Sequence, residues 1–573
     1  MSHDHQHGHD HGHDHGHGHG DHHHGPTGAE GSWADPDADD PLSVSRRGFL
    51  ATAAVVAGAA AGLGGAAAGV GQGVAAAHGG GGQTTNPWHG RSVFLAGDHH
   101  IHTQFSPDAQ YEIETQVSKG QEYGLDWVVI TDHGSVAHQK FSIDQVTPRI
   151  EASRAAHRDM LVFQGLEWNI PGAEHATVFL PPGAATVDIL KAFEAGYDGS
   201  VLAAAGTIGA DAAAAERYAV EGLKYLEAQV RNRRTELALM FANHPSRQGI
   251  DSPHEIRGWR EAAPGVAVGM EGAPGHQAAG IPAAAGGPGS GRGYYDRGPN
   301  PATSFLAYPP ESYRTFGGFD WMTATVGGLW DSLLAEGRPF WVTATSDSHQ
   351  VFRDTFAPGS QDYPTTGSRG APVDTGAPIT TYGDFWPGQY SSTLVAADSR
   401  DYVSVMRGLQ AGKVVAVHGR LIEGLDLRVR SGRGGDGRGV TLGGRTQVRR
   451  GNDVKVDVTI ELATGPNANG DVPKLARVDL ISGPVTGAAA DRDTFTAPQT
   501  RVVQTFEVRG GRKRATFEYT FRDVQQSFYL RLRGSDGKQL DANDNPPIDV
   551  VGDADPWQDL WFYANPVFVD VVA

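Results

Sequence analysis

Cysteine is absent from the sequence, which excludes a disulfide framework, a thiolate metal site and a thiol nucleophile. Basic residues are also few, because 47 Lys and Arg stand against 66 Asp and Glu, for a formal net charge of −19. This balance argues against a nucleic-acid-binding surface. Histidine is the residue in excess. Of the 26 histidines, 12 lie between His3 and His24, and the other 14 are spread over the rest of the chain.

Residues 1–45 form a His/Asp-rich N-terminal region, in which the first 25 residues alternate His with Asp and Gly. Nothing apolar in this tract could drive folding, so we predict that the region is disordered. Imidazoles and carboxylates at this density suit divalent cations such as zinc, nickel, cobalt or copper. Two interpretations stay open: a loose metal-collecting arm, or a solvated tail without a role.

The next segment resembles a twin-arginine export signal. It contains Ser45-Arg46-Arg47-Gly48-Phe49-Leu50, then an apolar stretch rich in Ala, Gly and Val, and finally Ala75-Ala76-Ala77. The resemblance implies a signal peptide over residues 46–77, a linker over 78–90, and the twin-arginine export machinery as a partner. The protein would then be secreted, periplasmic or associated with the cell wall. The many glycines favour a cleaved signal over a permanent membrane anchor, and an uncleaved anchor is the alternative.

Two regions of different pattern follow. From residue 91 to 420, short apolar β-forming runs alternate with helix-like segments, which predicts an α/β domain with a mostly parallel sheet. Gly/Pro-rich stretches at about 280–313 and 355–392 interrupt this pattern and are interpreted as lids or as disordered insertions. From residue 421 to 573 the strands are short, alternating and separated by turn residues, which predicts a C-terminal antiparallel β-sandwich.

Side chains able to bind metal follow five of the predicted strands directly. The carboxyl ends of parallel strands in a barrel converge on one rim, so we expect these side chains to meet there. His100 and His102, and likewise Asp347 and His349, are two residues apart, which would place each pair on one side of an extended segment. The five segments are Asp98-His99-His100-Ile101-His102-Thr103, Thr131-Asp132-His133, Gly165-Leu166-Glu167, Asn243-His244-Pro245 and Ser346-Asp347-Ser348-His349.

Together these segments resemble the motifs of the PHP superfamily of metal-dependent hydrolases, named for its polymerase and histidinol phosphatase members. The motifs occur in the family's order within residues 91–420. The resemblance implies a distorted (β/α)7 barrel, similar to a TIM barrel, with two or three divalent metal ions in its site. Mixed His and carboxylate ligation suits manganese, zinc or iron, and the sequence does not choose among them.

The resemblance also implies the metal ligands and the catalytic residues. Asp108 could equally be a turn residue after Pro107, and His175 is the least expected ligand because it precedes its strand. Glu167, Asp347 and His349 are the predicted catalytic residues. The first ion would be bound by His100, His102, Glu167 and Asp347, the second by Glu167, His175 and His244, and the third by Asp108, His133 and His349.

Substrate contacts are predicted from position alone. Arg247 lies three residues after His244, and Arg353 lies four residues after His349, so both could bind a phosphate. The alternative is that both are exposed loop arginines. Glu271 follows another predicted strand and is interpreted as a further acid at the rim.

These observations predict an exported metal-dependent hydrolase, with a phosphoesterase as the leading hypothesis and a metal-bound hydroxide as its nucleophile. The predicted partner is a small-molecule substrate, a phosphate ester under the leading hypothesis. Hydrolysis of a non-phosphate ester, amide or aryl carbamate at the same kind of site is the first alternative. An exported metal-binding protein without turnover is the second, and it is motivated by the N-terminal histidines. A third possibility, that the C-terminal region is the functional part, has no recognisable ligand motif to support it.

Overall fold

The computed structural model describes residues 74–77, 93–209, 212–431, 439–509 and 513–573. The predicted His-rich region, the predicted linker and all but the last four residues of the predicted export signal lie outside these ranges. In the described part, no helix has the length and apolar character needed to cross a bilayer.

The described residues form a mixed α/β structure. Its helices are α1 (Ile113–Glu122), α2 (Ile143–Ala156), α3 (Thr186–Tyr197), α4 (Gly199–Ala204), α5 (Ala212–Arg231), α6 (Pro253–Ala262), α7 (Trp321–Ala324), α8 (Leu329–Ala335), α9 (Tyr363–Thr366) and α10 (Tyr402–Gln410). Its strands are β1 (Val74–Ala77), β2 (Val93–Asp98), β3 (Trp127–Ile130), β4 (Leu161–Asn169), β5 (His175–Phe179), β6 (Leu239–Ala242), β7 (Ala267–Ala273), β8 (Thr315–Phe316), β9 (Phe319–Asp320), β10 (Trp341–Ala344), β11 (Phe356–Ala357), β12 (Val373–Asp374), β13 (Ser391–Ala397), β14 (Val414–His418), β15 (Ile422–Ser431), β16 (Arg445–Arg449), β17 (Val454–Leu462), β18 (Arg477–Pro484), β19 (Arg501–Glu507), β20 (Arg514–Phe521), β21 (Phe528–Ser535) and β22 (Trp561–Val572).

The part of the large sheet that carries the predicted ligands has the strand order β10-β7-β6-β5-β4-β3-β2. All its strands run parallel except β5, which is antiparallel to β4 and β6. On its other side, β2 pairs with β13. An isolated parallel bridge between Ile101 and Ser348 joins the segments that follow β2 and β10. The mostly parallel sheet is confirmed, and closure into a seven-stranded barrel stays a prediction.

The strands of this sheet are largely buried, and β3 is apolar throughout. Trp127, Val128, Val129 and Ile130 of β3 are all buried, as expected for a parallel strand with both faces covered. Helix α5 turns one stripe toward the core, with buried residues at Ala215, Ala219, Leu223 and Leu226. Helix α6 begins at a capping box formed by Ser252 and Glu255, with Pro253 in its first turn.

The C-terminal strands divide between two sheets. Strands β15, β17 and β20 form a four-stranded antiparallel sheet with β1, and the others extend the large sheet in the order β13-β14-β22-β21-β18-β19, with β16 on β22. The two sheets share one apolar cluster, which includes Leu427, Val456, Phe517, Leu480, Leu532 and Phe562. Because β22 pairs with β14, the large sheet continues across residue 420. A separate β-sandwich domain over 421–573 stays a prediction.

The Gly/Pro-rich stretch at 280–313 is packed against the rest of the chain. Arg292 is buried, and its Nε donates to Gln277 Oε1 at 2.6 Å. Tyr295 is also buried, and its hydroxyl donates to Asp320 Oδ2 at 2.5 Å. The interpretation of this stretch as a disordered insertion is therefore wrong, because buried polar side chains fix it in place.

Candidate metal centre

Glu167 at the end of β4 is the centre of the candidate site. Its side chain is buried and lies within 3.5 Å of five imidazoles. Asn243 donates a hydrogen bond to Oε1 at 2.9 Å and accepts one from the Thr177 amide, which fixes the orientation of the carboxylate. The imidazole contacts are His100 Nε2 at 3.0 Å, His175 Nδ1 at 3.2 Å and His244 Nε2 at 3.5 Å to Oε1, and His133 Nδ1 at 2.8 Å and His102 Nε2 at 3.1 Å to Oε2.

Asp347 supplies the second carboxylate. Its Oδ1 lies 3.2 Å from Nε2 of both His100 and His102 and 3.3 Å from His349 Nδ1. The two motifs meet because Ile101 and Ser348 form a parallel bridge, and the rings of His102 and His349 stack with centroids 3.8 Å apart. Asp347 has φ +46°, so its segment turns where an extended one was predicted. The pair of His100 and His102 nevertheless faces the pair of Asp347 and His349.

A third group lies at the edge of the cluster. Asp108 Oδ2 is 3.3 Å from His133 Nε2, and Asp108 Oδ1 is 3.6 Å from His349 Nε2. The two Nε2 atoms are 3.4 Å apart. The side chains of Asp108 and His133 are 17% and 10% exposed, whereas the other predicted ligands are more deeply buried. These two side chains are therefore the least buried of the predicted ligands, although the carboxylate oxygens of Asp108 are themselves buried.

Three of these imidazoles are held in orientation by a hydrogen bond at Nδ1. His100 Nδ1 lies 2.7 Å from Glu271 Oε1, His102 Nδ1 lies 2.9 Å from Ser106 Oγ, and His349 Nδ1 lies 2.9 Å from the Asp347 carbonyl oxygen. A carbonyl oxygen only accepts, so His349 carries its proton on Nδ1 and keeps a lone pair on Nε2. Metal-binding histidines are typically oriented by such partners.

The charges of the cluster depend on one another. Burial alone would raise the pKa of Glu167 and Asp347, but the surrounding imidazoles outweigh it and lower both pKa values well below the usual range. Conversely, Glu167 and its neighbouring carboxylates outweigh burial and raise the pKa of His175 to about 9. Burial, reinforced by the charge of His102, lowers the pKa of His349 to about 3. The carboxylates are therefore ionised, and His349 is neutral.

The geometry of these contacts fits divalent cations. Among the described residues, Glu167 Oε2, Asp347 Oδ1 and both oxygens of Asp108 accept no hydrogen bond, although imidazole nitrogens lie close to each of these three side chains. Such contacts arise when nitrogen and oxygen atoms point at a common position between them. Within the described ranges, three-residue groups with ligand atoms no more than 4.8 Å apart include His100, His102 and Glu167, then His133, Glu167 and His175, and also His102, His133 and His349. The donor set is the one that divalent transition metals prefer.

The nine predicted ligands are thus brought together, including His175 and Asp108, the two least expected of them. His175 begins β5, and because β5 runs against its neighbours, its first residue lies at the rim where β4 and β6 end. Asp108 faces the imidazoles rather than serving only a turn. Arg247 is buried, with its guanidinium 3.2 Å from His244 Nε2. Arg353 is exposed and donates to the Ala285 carbonyl oxygen, so its predicted role in substrate binding stays a prediction.

Four further residues belong to the site. Glu271 accepts hydrogen bonds from the His244 amide at 2.7 Å and from the Thr345 hydroxyl at 2.9 Å, which makes it a supporting acid. Asn243 orients Glu167, and Glu174 lies 3.9 Å from His244 Nδ1. His276 lies 2.8 Å from Asp347 Oδ2. The sequence offered a signal for Asn243, Glu174 and Glu271, which sit beside a predicted ligand or a strand end, and none for His276.

Part of this region is similar to a known domain family. Residues 98–234 match the PHP domain family. The matched segment includes six of the nine predicted ligands, and His244, Asp347 and His349 lie beyond it. A comparison with curated proteins gives no significant match.

Two solved structures are similar to the chain at low levels. One, from Bacteroides vulgatus, is described as a two-domain protein containing a predicted PHP-like metal-dependent phosphoesterase. It is 15% identical, covers 80% of this chain and 94% of its own, and has a TM-score of 0.31. The other, from Bifidobacterium adolescentis, is assigned as a metal-dependent phosphoesterase. It is 15% identical, covers 31% of this chain and 76% of its own, and has a TM-score of 0.20.

Proposed function

We propose that this chain is a metal-dependent phosphoesterase whose cluster holds two or three divalent ions. One observation carries the proposal: five imidazoles converge on the single carboxylate of Glu167, with Asp108 and Asp347 beside them. His100, His102, Glu167 and Asp347 would hold the first ion. Glu167, His175 and His244 would hold the second, and Asp108, His133 and His349 the third.

The chain's own residues divide the work of the reaction. Bound divalent ions supply a water of lowered pKa as the nucleophile and neutralise charge that develops on the substrate. Glu167 and Asp347 would hold the ions through their carboxylates, while Glu271 and Asn243 keep His100 and Glu167 in place. The substrate would approach beside Asp108 and His133, the least buried of the proposed ligands. No side-chain nucleophile is required.

Arg247 favours a phosphate ester over the alternative substrates. Its guanidinium is buried and lies 3.2 Å from Nε2 of His244, which is a proposed ligand. A cation in this position adds to the positive charge of the ions and would hold an anionic oxygen of the substrate. A neutral carbamate or amide would gain less from it. We therefore place a phosphate ester first among the substrate classes.

The test compares hydrolysis by the full chain and by its Asp347→Ala variant after loading with manganese or zinc. Chromogenic phosphomonoester, phosphodiester and aryl carbamate substrates are offered to both. We expect phosphate release by the wild-type chain, and a decrease of at least about 100-fold in the variant, because Asp347 contacts three of the imidazoles. Carbamate turnover without phosphate release would refute the phosphoesterase and favour the first alternative. Metal uptake without any turnover would favour a metal-binding protein.

We further propose that the protein is exported through the twin-arginine pathway, on the basis of the Ser45–Leu50 motif. Replacement of both arginines, Arg46→Lys and Arg47→Lys, should retain the protein in the cytoplasm of a bacterial host that has this pathway. Cell fractionation and N-terminal sequencing of the exported chain measure the outcome. Unchanged export of the double variant would contradict the proposal.

A further inference from the structure

A histidine outside the predicted ligand set contacts the cluster from behind Asp347. His276 follows β7, is buried, and has Nε2 2.8 Å from Asp347 Oδ2. Its other nitrogen, Nδ1, is hydrogen bonded to Asp384 Oδ1 at 2.6 Å. Asp347 therefore has two different sides, because Oδ1 faces three imidazoles and accepts no hydrogen bond from the described residues, whereas Oδ2 faces His276.

Asp384 connects this histidine to the chain that follows Asp347. It is fully buried, and its Oδ2 accepts hydrogen bonds from the backbone amides of His349 at 2.6 Å and Gln350 at 2.7 Å. One carboxylate thus fixes both the imidazole of His276 and the backbone position of the ligand His349. A side chain that only filled space would not need two buried, directional partners of this kind.

His276 and Asp347 meet where both residues have an unfavourable backbone conformation. His276 has φ +53° and Asp347 has φ +46°, a conformation that residues other than glycine adopt uncommonly. The His276 amide donates to the Ser346 carbonyl oxygen at 3.2 Å. Gly275 lies at the crossing, where an added Cβ atom would be 2.1 Å from Asp347 Cβ. The two loops are therefore held in close contact, although His276 and Asp347 both have an unfavourable backbone conformation.

We propose that Asp384 and His276 form a positioning pair that holds Asp347 with Oδ1 directed into the metal cluster. This proposal rests on the proposed function, because it assigns the pair to a metal site. His276 acts through Asp347 and is a positioning residue. Asp384 orients the ring, His276 donates to Oδ2, and the second oxygen is left to bind the ion.

Two polar substitutions separate the two contacts of His276. His276→Gln places an amide nitrogen near the position of Nε2 and can still donate to Asp347. His276→Asn places its amide near Nδ1, so it keeps the contact with Asp384 but does not reach Asp347. Asn also tolerates a positive φ, which makes this variant suitable for folding. Each of the two variants therefore keeps a different one of the two contacts, while both side chains stay polar.

The experiment measures zinc retained by full-length chains in zinc-buffered solutions, together with kcat and KM for the phosphate substrate. A Glu167→Gln chain supplies the baseline for zinc bound outside the cluster, including zinc on the N-terminal histidines. We expect His276→Gln to retain wild-type zinc affinity within about threefold. We expect His276→Asn to bind zinc roughly 10- to 100-fold more weakly and to lose kcat in proportion, with KM changed less than about threefold.

The other outcomes distinguish a failure of this proposal from a failure of the proposed function. Wild-type behaviour of His276→Asn would mean that Asp347 needs no such support. Equal losses in both variants would mean that His276 itself binds the ion. A wild-type chain that retains cluster zinc but hydrolyses no phosphate ester would contradict the proposed function, and the zinc measurements would still decide the role of His276. Wild-type zinc no higher than the Glu167→Gln baseline would overturn both.

Discussion

The negative charge of one carboxylate, that of Glu167, explains most of the arrangement of side chains in the site. Glu167 is surrounded by imidazoles, and those imidazoles keep its pKa well below the usual range despite burial. In the absence of metal, protons on His100 and His133 carry the compensating charge. Burial alone would lower the pKa of both imidazoles, but the carboxylates of Asp347, Glu167 and Asp108 outweigh it and raise both pKa values well above the usual range. Binding a divalent ion replaces those protons, so metal uptake and proton release are coupled.

Glu167→Gln tests this account directly. The substitution keeps the shape of the side chain and removes its charge, which leaves five imidazoles without their shared counter-ion. We expect at least one equivalent of cluster metal to be lost and turnover to fall by at least about 100-fold. Metal analysis and initial rates measure these effects, and far-UV circular dichroism checks the fold. Retention of full metal content would show that Glu167 is not shared between ions.

At the scale of elements, the site depends on a close crossing of the loops that follow β7 and β10. Gly275 has no room for a side chain, because an added Cβ atom would also lie 2.3 Å from the Ser346 carbonyl oxygen. Gly258, within helix α6, has open space in the same position, with nothing within 4 Å. The two glycines make a matched pair for substitution by alanine.

We expect Gly275→Ala to lower the free energy of unfolding by at least about 2 kcal/mol, because backbone or Asp347 must move. It should also weaken metal binding, since Asp347 is the residue displaced. Gly258→Ala should stabilise the protein by about 0.5–1 kcal/mol, because alanine is the better helix former. Denaturant unfolding of both variants gives the comparison. Equal stability of the two variants would contradict the crossing of the loops as described.

Helix α6 also makes a pH-dependent contact with the C-terminal region. Nδ1 of His254 lies 2.6 Å from Asp493 Oδ1, and its Nε2 lies 3.6 Å from Glu216 Oε1. Burial would lower the pKa of His254, but Glu216 and Asp493 outweigh it and raise the pKa to about 9. The folded-state pKa is above the unfolded value of about 6.5. The contribution to stability is therefore complete below about pH 6.5 and disappears as the pH rises through about 9.

His254→Gln should consequently destabilise the protein at pH 6 and have little effect at pH 10. The side chains are partly exposed, so we expect a difference of no more than about 1 kcal/mol. Denaturant unfolding at the two pH values measures it. The difference should shrink in an Asp493→Asn background, which already lacks one partner. A destabilisation of equal size at both pH values would refute the ion pair as its cause.

These elements also show what the sequence could reveal. The ligands of motifs such as His100-x-His102 were predictable because each follows its strand directly, and parallel strands bring their ends to one rim. His276 was not, since it reaches Asp347 only through the crossing at Gly275, a tertiary contact without local spacing. Strand β22 was missed as well, although its position decides the topology, because its central residues are buried on both faces and do not alternate. Helix α8 is followed by Gly337 with φ +73°, the left-handed conformation in which glycine commonly ends a helix.

At the scale of the molecule, the C-terminal strands are built into the sheet that carries the site. The side chain of Asn565 on β22 accepts a hydrogen bond from the Val342 amide at 2.9 Å and donates one to the Val342 carbonyl oxygen at 3.2 Å. This side chain completes the backbone pairing of β10, the strand that leads to Asp347. A buried ion pair adds a second connection, because Arg531 on β21 binds Asp331 on α8 through two hydrogen bonds of 2.9 and 2.7 Å.

These connections predict that the two regions unfold in one cooperative step. Arg531 and Asp331 are both fully buried, so Arg531→Met would leave an uncompensated charge and should cost about 3–5 kcal/mol. Since α8 leads into β10, the strand that precedes Asp347, the variant should lose metal and C-terminal structure together, at one lowered denaturant concentration. Metal release, tryptophan fluorescence and far-UV circular dichroism should report coincident transitions in the wild type and in the variant. An Asp331→Asn, Arg531→Met double variant, which removes both charges, should recover part of the loss. Separate transitions, with only one shifted by Arg531→Met, would instead mean that residues 421–573 fold as an independent domain and that the shared sheet does not couple them to the site.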